Sequence, residues 1–74
     1  MKNQECVDFG AAVRRLRTRL GVSQEEFAGR VDIHRTYIGG IERGERNPTL
    51  TMIKRIAAAL NVSAAQLLRE AEKH

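Results

Sequence analysis

The sequence predicts an all-α fold, and three observations support this prediction. Apolar residues recur at steps of three and four along most of the 74 residues, which is the spacing of a helical face. Apolar residues make up 42% of the chain and aromatic residues only 4%, so the core is expected to consist of Leu, Ile, Val and Ala. A chain of this length predicts one domain, 1–74, which buries about 60% of its unfolded surface and would be helped by forming an oligomer.

The central stretch, about 24–43, contains two short helical patterns separated by a break too short for a free loop. Their apolar stripes consist of Phe27, Ala28 and Val31 in the first helix and of Ile38 and Ile41 in the second. Such a turn commonly needs a positive φ, and Asp32 is among the few residues besides glycine that tolerate one. This pattern describes a helix-turn-helix, whose second helix can present a polar face to the major groove of DNA.

The first helix is predicted to run from about Glu5 or Asp8 to Leu20. Its apolar stripe consists of Phe9, Val13, Leu16 and Leu20. Arg14, Arg15 and Arg19 lie off this stripe and are expected in solvent. Arg17 lies at the edge of the buried face, where an unpaired guanidinium is costly, so it requires a carboxylate partner.

Glycines and capping residues mark the limits of the next two helices. Gly21 is expected to end the first helix in the left-handed conformation. Ser23 and Glu26 form the pattern of a capping box, which makes Gln24 the first helical residue, where backbone amides and its side chain could hold a phosphate oxygen. An exposed helical glutamine fits the spacing equally well. The third helix is predicted from His34 to Arg43, followed by Gly44.

Two adjacent glycines, Gly39 and Gly40, fall inside this third helix, on the side opposite its isoleucines. Each is expected to cost about 1 kcal/mol relative to alanine. Either tertiary packing alone holds the helix, or the close approach of another surface requires bare backbone at this place.

The fourth helix is predicted from Leu50 to Leu60 with Thr49 as its N-cap, and the fifth from Ala64 to about Glu72 with Ser63 as its N-cap. Their apolar stripes consist of Leu50, Ile53, Ile56, Ala57 and Leu60, and of Ala64, Leu67, Leu68 and Ala71. Lys54 and Arg55 lie off the first of these stripes and are expected in solvent. Four of the apolar residues in this half are expected to form a dimer interface: Met52, Val62, Leu67 and Leu68. Loose packing of a terminal helix is the alternative.

The charge balance favours an anionic partner. Thirteen Lys and Arg residues against nine Asp and Glu give a net charge of +4, which suits nucleic acid or an acidic membrane surface. A single cysteine, Cys6, rules out an internal disulfide and indicates a reducing cytosol. No run of about 18 apolar residues and no signal peptide is present, so a cytoplasmic, nucleoid-associated protein is expected.

No catalytic or metal-binding constellation is visible. His34 has no cysteine near it and His74 is terminal, so no metal-ligand spacing exists. Ser23 has no base arranged beside it, and no glycine-rich loop could cradle a phosphate. We therefore expect neither an enzyme nor a cofactor.

Residues 16–70 resemble the phage repressor and Cro type of helix-turn-helix, the Xre-like regulators. The matching positions are the Leu20–Gln24 entry, Ala28, Ile38, Ile41, Glu42, Gly44, the Asn47–Pro48 loop and the Leu60–Ser63 joint. Within that family, residues 34–47 also resemble the recognition segment of restriction-modification controller proteins, which are small dimers made of this domain alone. The resemblance implies a compact five-helix, repressor-type DNA-binding domain that acts as a homodimer on a pseudo-palindromic operator in double-stranded DNA.

The resemblance also implies roles for particular residues. Arg17 and Glu42 match a structural ion pair between the first and third helices. The resemblance implies base contacts for Arg35 and Thr36, contact of Tyr37 with bases or backbone, and contact of Arg46 with a base or a phosphate. It implies phosphate contacts for Gln24 and Arg43. His34 is assigned to a phosphate by its position, and an exposed surface histidine is the alternative there. RNA polymerase is a further candidate partner. The chain departs from the family pattern at Asp32, where glycine is frequent, and at the Gly39–Gly40 pair, which lacks side chains that some relatives use on bases.

A protein-interaction module or an antitoxin-type regulator that docks on a partner protein remains the alternative. The two classes differ in their response to salt, because binding to DNA releases counterions and weakens steeply as salt rises.

Overall fold

The structure is a computed structural model that describes residues 3–73, and these residues form five α-helices and no strand. The helices are α1 (Gln4–Leu20), α2 (Gln24–Val31), α3 (Arg35–Glu42), α4 (Leu50–Ala59) and α5 (Ala64–Ala71). The all-α fold class with a central helix-turn-helix is therefore confirmed. Among the described residues, no helix is long and apolar enough to cross a membrane.

The observed helix limits follow from the caps. Helix α1 begins at Gln4 rather than at Glu5 or Asp8, because the side chain of Asn3 accepts hydrogen bonds from the amides of Glu5 and Cys6. Helix α3 is one residue shorter than predicted at each end, since His34 is its N-cap and Arg43 its C-cap. Helices α4 and α5 likewise end one residue early, at Ala59 and Ala71.

The predicted caps and left-handed residues are present. Ser23 and Glu26 form both hydrogen bonds of the capping box, each at 3.0 Å, and Ser63 forms a second box with Gln66. Asp32 has a φ of 66°, as the short turn of the helix-turn-helix requires. The turn therefore exists without the glycine that is frequent at this position.

The core lies where the five helices meet. Its largest fully buried side chains are Val13, Phe27, Ile38, Ile41, Ile56 and Leu67. Burial of one such side chain contributes about 1.5–3 kcal/mol, and these six come from every helix of the fold. Ile38 and Ile41 bury one side of α3 in this core and so hold the helix against the rest of the molecule.

Besides Leu68, which is 43% exposed, two leucines of the predicted stripes lie outside this core. Leu50 is 68% exposed and Leu20 is 39% exposed, so their assignment to a buried face was wrong. Each lies at the end of its helix, Leu50 at the first position of α4 and Leu20 at the last of α1. Helical periodicity assigns a residue to a face, but it does not show where along the axis the neighbouring helices stop.

The prediction of a dimer interface is wrong at Leu67. Its side chain is fully buried in the core of the single chain and has no surface left to offer a second copy. Leu68 is 43% exposed, and Met52 and Val62 are partly buried against the core. Of the four residues assigned to the interface, these three therefore keep apolar surface for a partner.

Helix α1 crosses the end of α3 at a distance that only glycine permits. A Cβ atom on Gly10 would lie 2.0 Å from the carbonyl oxygen of Ile41 and 2.8 Å from that of Glu42. A Cβ atom on Gly44 would lie 2.7 Å from the Cα atom of Val7. The backbones themselves are in contact here, so this crossing fixes where α3 ends.

Two arginines that were expected in solvent are engaged with distant parts of the chain. Arg15 donates to the side chain of Glu70 at 3.4 Å and to its carbonyl oxygen at 3.0 Å, which joins α1 to α5. Arg55 of α4 donates to the carbonyl oxygens of Val31 and Asp32, which have no partner within α2. These contacts depend on the packing of helices far apart in sequence.

Candidate nucleic-acid interface

The side of α3 that faces away from the core begins with three exposed residues. Arg35 and Thr36 occupy its first turn, directly after the N-cap His34. Nδ1 of His34 accepts a hydrogen bond from the amide of Thr36 at 3.1 Å. The neutral ring then carries its hydrogen on Nε2, which leaves a donor for an anion.

Arg35 is held only weakly. One guanidinium nitrogen lies 3.9 Å from a carboxylate oxygen of Glu25, and the two side chains are 66% and 80% exposed. An exposed pair at this distance contributes little to stability. Arg35 can therefore leave Glu25 for another acceptor at small cost.

Arg46 lies back across α3 from the loop that follows the helix. Its guanidinium carbon is 5.5 Å from the centre of the Tyr37 ring, within the range of a cation–π contact. Its Cγ atom lies 3.1 Å from the position that a Cβ atom of Gly40 would occupy. The fold therefore brings together two of the residues assigned to base contact, Tyr37 and Arg46.

Arg43 lies over the other glycine of the pair. One guanidinium nitrogen lies 3.0 Å from the position of a Cβ atom on Gly39, and Oε1 of Gln24 lies 3.7 Å from the same point. Nε of Arg43 is 3.1 Å from a carboxylate oxygen of Glu45, and this hydrogen bond raises the pKa of Arg43 above its ordinary value. The carboxylate of Glu45 therefore favours the cationic form of Arg43.

The Gly39–Gly40 pair lies on the side of α3 opposite its isoleucines, as predicted, but it is not exposed there. Both residues are buried, because the side chains of Arg43 and Arg46 cover them. Of the two explanations that the sequence left open, the structure supports the close approach of another surface. That surface consists of side chains of the same chain.

A hydrogen-bonded network links this face to the interior. Arg17 donates to both carboxylate oxygens of Glu42, at 2.6 and 3.0 Å, and to the carbonyl oxygen of Val22 at 2.9 Å. The hydrogen bond to Glu42 raises the pKa of Arg17, although burial works in the opposite direction. The side chains of this pair are only 13% and 3% exposed, and two-pronged pairs of this type have a fixed geometry.

Gln24 completes the network at the surface. Its Nε2 atom donates to Glu42 at 3.0 Å, so the first residue of α2 is oriented by the same carboxylate that holds α1 against α3. One hydrogen of the Gln24 amide and the first backbone amides of α2 are left for an external acceptor. The resemblance assigned Gln24 to phosphate contact, and its position at the start of α2 suits that role.

The structure thus gathers most of the residues singled out from the sequence on one side of the molecule, around α3 and the start of α2. Arg55, which holds the turn between α2 and α3, was missed. The signal that could have identified it is the pair of carbonyl groups left without partners where Asp32 ends α2. Among residues 3–73, no group of three or more His, Cys, Asp or Glu side chains is placed to hold a metal ion.

The chain is similar to known helix-turn-helix proteins over most of its length. Residues 13–67 match the family model HTH_3, helix-turn-helix. The chain is 45% identical over 69 residues to the control protein C.BamHI of Bacillus amyloliquefaciens, which covers 92% of this chain and 85% of that protein.

Solved structures of related proteins agree with the fold. The restriction-modification controller protein C.AhdI of Aeromonas hydrophila superposes with a TM-score of 0.85 at 42% identity, over 88% of this chain and 98% of that one. The controller protein C.Esp1396I, solved as a tetramer in complex with its natural 35 base-pair operator, superposes with a TM-score of 0.80 at 32% identity. That match covers 93% of this chain and 96% of the controller. The chain therefore belongs to the Xre-like helix-turn-helix family of DNA-binding transcription regulators, together with the control proteins of restriction-modification systems.

Proposed function

We propose that the chain is the control protein of a restriction-modification system, a regulator rather than an enzyme, which binds a pseudo-palindromic operator as a homodimer. The observation that supports this most directly is the two-sided environment of α3. Ile38 and Ile41 are fully buried on one side, while Arg35 and Thr36 are exposed at the start of the other. Such a helix can enter the major groove with its first turn against the base edges.

Each exposed residue has a role suited to its chemistry. Arg35 donates two hydrogen bonds to O6 and N7 of a guanine, and Thr36 bonds a base or contacts a thymine methyl group. Arg46 and Tyr37 contact the bases next to those that Arg35 and Thr36 contact. Gln24, His34 and Arg43 bind phosphates and fix the position of α3 along the groove, since phosphate contacts orient a protein without reading sequence.

The dimer forms through the remaining apolar surface of Met52, Val62 and Leu68. Two copies related by a twofold axis would place their α3 helices on half-sites about 34 Å apart, or a multiple of that distance. With no side chains at Gly39 and Gly40, each half-site receives few direct contacts. Bending of the DNA between the half-sites therefore shares in the specificity. RNA polymerase is a proposed further partner at the promoter, and the cytoplasm, in association with the nucleoid, is the proposed location.

The first test is the selection of bound duplexes from random DNA, followed by single base-pair substitutions in the selected site. Arg35→Ala should reduce affinity by about 1–3 kcal/mol and relax the preference at one base pair in each half-site. Arg69→Ala is the control, because it removes an exposed arginine from α5, which packs mainly on α1 and α4. If Arg35→Ala weakened binding equally on every sequence, Arg35 would be a phosphate contact and this part of the proposal would be wrong.

Salt dependence separates this function from a protein-interaction module. The logarithm of the DNA affinity should fall linearly with the logarithm of salt concentration, because each neutralised phosphate releases counterions. Failure of all duplexes to bind at low salt would contradict the proposal and favour the interaction module.

The dimer is tested by sedimentation of two matched variants. Leu68→Lys should shift the chain toward the monomer, since it places a charge in the proposed interface. Leu20→Lys adds the same charge at a leucine of similar exposure, 39% against 43%, and should leave the association unchanged. Equal behaviour of the two variants would exclude the interface proposed here.

A further inference from the structure

We propose that Gly40 is a specificity-determining residue. It acts by placing the guanidinium of Arg46 beside Tyr37, near the start of α3, where the residues assigned to base contact lie. This inference rests on the proposed function, because it assumes that Arg46 contacts bases. It assigns Gly40, a residue type that is unfavourable in a helix, a positive role in recognition.

The first observation is the extent of the contact between Arg46 and Gly40. The Cγ, Nε and Cδ atoms of Arg46 lie 3.1, 3.4 and 3.8 Å from the position of a Cβ atom on Gly40. Most of the side chain therefore lies directly on bare helix backbone. A methyl group at Gly40 would displace Arg46 near the base of its side chain, where a small torsional change moves the guanidinium furthest.

The second observation is that the backbone leading to Arg46 is fixed. Gly44 turns the chain with a φ of 77°, and its Cα faces Val7 of α1 so closely that no Cβ could be accommodated. The amide of Glu45 then donates to the carbonyl oxygen of Gly40 at 2.9 Å. Because the chain cannot move away, the side chain of Arg46 has to absorb any displacement.

The third observation is the position of the guanidinium that results. Tyr37 precedes Gly40 by three residues, so the two lie on the same side of α3. With its stem on Gly40, Arg46 reaches back over the Tyr37 ring, 5.5 Å from its centre. The charge therefore lies beside Tyr37, the residue that directly follows Arg35 and Thr36 in α3.

Gly39 provides a matched control one residue away. A Cβ atom there would meet only the tip of Arg43, at 3.0 Å, and Oε1 of Gln24 at 3.7 Å. The end of a long side chain can move aside without changing the direction of its stem. Gly39→Ala and Gly40→Ala therefore make the same chemical change in the same helix, but only Gly40→Ala should redirect an arginine assigned to base contact.

A readout that does not involve DNA is available, because Tyr37 is the only tyrosine and the chain has no tryptophan. Intrinsic fluorescence thus reports on the surroundings of Tyr37 alone. The emission of Gly40→Ala should match that of Arg46→Ala, in which the cation–π contact is absent. The emission of Gly39→Ala should match that of the wild type. Both alanine variants should melt a few degrees higher, since alanine favours the helix over glycine.

Binding is measured on a selected operator and on its single base-pair substitutions, for the wild type, Gly39→Ala, Gly40→Ala, Arg46→Ala and the double variant Gly40→Ala/Arg46→Ala. Arg46→Ala and Gly40→Ala should each lose about tenfold in preference at the same base pair. The double variant should lose no more than Arg46→Ala, because the glycine acts only through the arginine. Gly39→Ala should keep the wild-type preference.

The outcomes distinguish the two proposals. If Arg46→Ala kept the base preference, the assignment of Arg46 to base contact would fail, which is a failure of the proposed function. If Arg46→Ala lost the preference while Gly40→Ala kept it, the inference about Gly40 would be overturned. A lower melting temperature for Gly40→Ala, or additive losses in the double variant, would also overturn it.

Discussion

The two sides of α3 are held by contacts of different kinds. On the inner side, the backbone of α1 at Gly10 lies against the last carbonyl groups of the helix, and Glu42 binds Arg17 through both oxygens at 2.6 and 3.0 Å. On the outer side, Arg35 is 3.9 Å from its carboxylate partner and Arg46 is 5.5 Å from the centre of the Tyr37 ring. The inner contacts are largely buried, whereas the ion pairs on the outer side, Arg35 with Glu25 and Arg43 with Glu45, are exposed.

Because of this difference, the contacts that position α3 are not the ones that are proposed to bind DNA. Eight residues are too few for a stable helix in isolation, so α3 depends on its inner contacts for its existence and orientation. The outer side chains are held loosely enough to exchange their partners for bases and phosphates. Substitutions on the inner side should therefore change folding, and those on the outer side should change DNA binding without changing folding.

The largest expected effect is that of Arg17→Met. This variant leaves the carboxylate of Glu42 buried without its guanidinium, and the loss should be about 3–5 kcal/mol in the free energy of unfolding, measured with urea. Adding Glu42→Leu to Arg17→Met should restore most of the loss, since no charge then remains buried. A loss below about 1 kcal/mol would show that the inner side is no more tightly held than the outer.

Gly10→Ala should have the next largest effect, a loss of about 3 kcal/mol in the free energy of unfolding. The new methyl group would overlap the carbonyl oxygen of Ile41, and neither backbone can yield without separating α1 from α3. Gly29→Ala is the control, because no atom lies within 4 Å of the position of its Cβ. That variant should be slightly more stable than the wild type, as expected for alanine in place of an exposed helical glycine.

A smaller effect is expected at the start of α2, which carries Gln24. The hydrogen bond from the Ser23 amide lowers the pKa of Glu26 below its ordinary value of 4.5. A lowered pKa in the folded state contributes stability above the ordinary value, and this contribution is lost as the pH falls through the folded pKa. The free energy of unfolding, measured between pH 7 and pH 3, should show this loss. Glu26→Gln should show less of it, and identical pH profiles would contradict this role.

The capping box itself can be tested at neutral pH. Ser23→Ala removes the acceptor for the Glu26 amide and should lower the free energy of unfolding by about 1 kcal/mol. Ser63→Ala removes the equivalent acceptor at the start of α5, which carries none of the residues assigned to DNA contact. It should cost a similar amount while leaving DNA affinity unchanged.

The smallest effect on stability is expected on the outer side. Arg35→Ala should change the free energy of unfolding by no more than about 0.5 kcal/mol, because an exposed pair with Glu25 contributes little. The same variant should lose base preference, as described above. A large loss of stability would remove the distinction between the two sides of α3.

The sequence predicted local structure well because local rules decide it. The capping box of Ser23 and Glu26, the left-handed Asp32 and the order of the five helices all follow from interactions within a few residues. The predictions failed where a second, distant segment decides the outcome. Leu67 was assigned to a surface although it fills the core, and Arg15 and Arg55 were assigned to solvent although they bind backbone carbonyls of other helices.

The glycines show most clearly what the sequence decides and what the tertiary structure decides. The sequence alone determined that this chain forms five helices, where they begin and end to within a few residues, and that α3 carries an apolar side and a cationic side. Only the tertiary structure decided that Gly10 meets backbone while Gly40 meets the side chain of Arg46. The physical reason is that periodicity describes one helix at a time, whereas the space beside a residue depends on which other segment packs there.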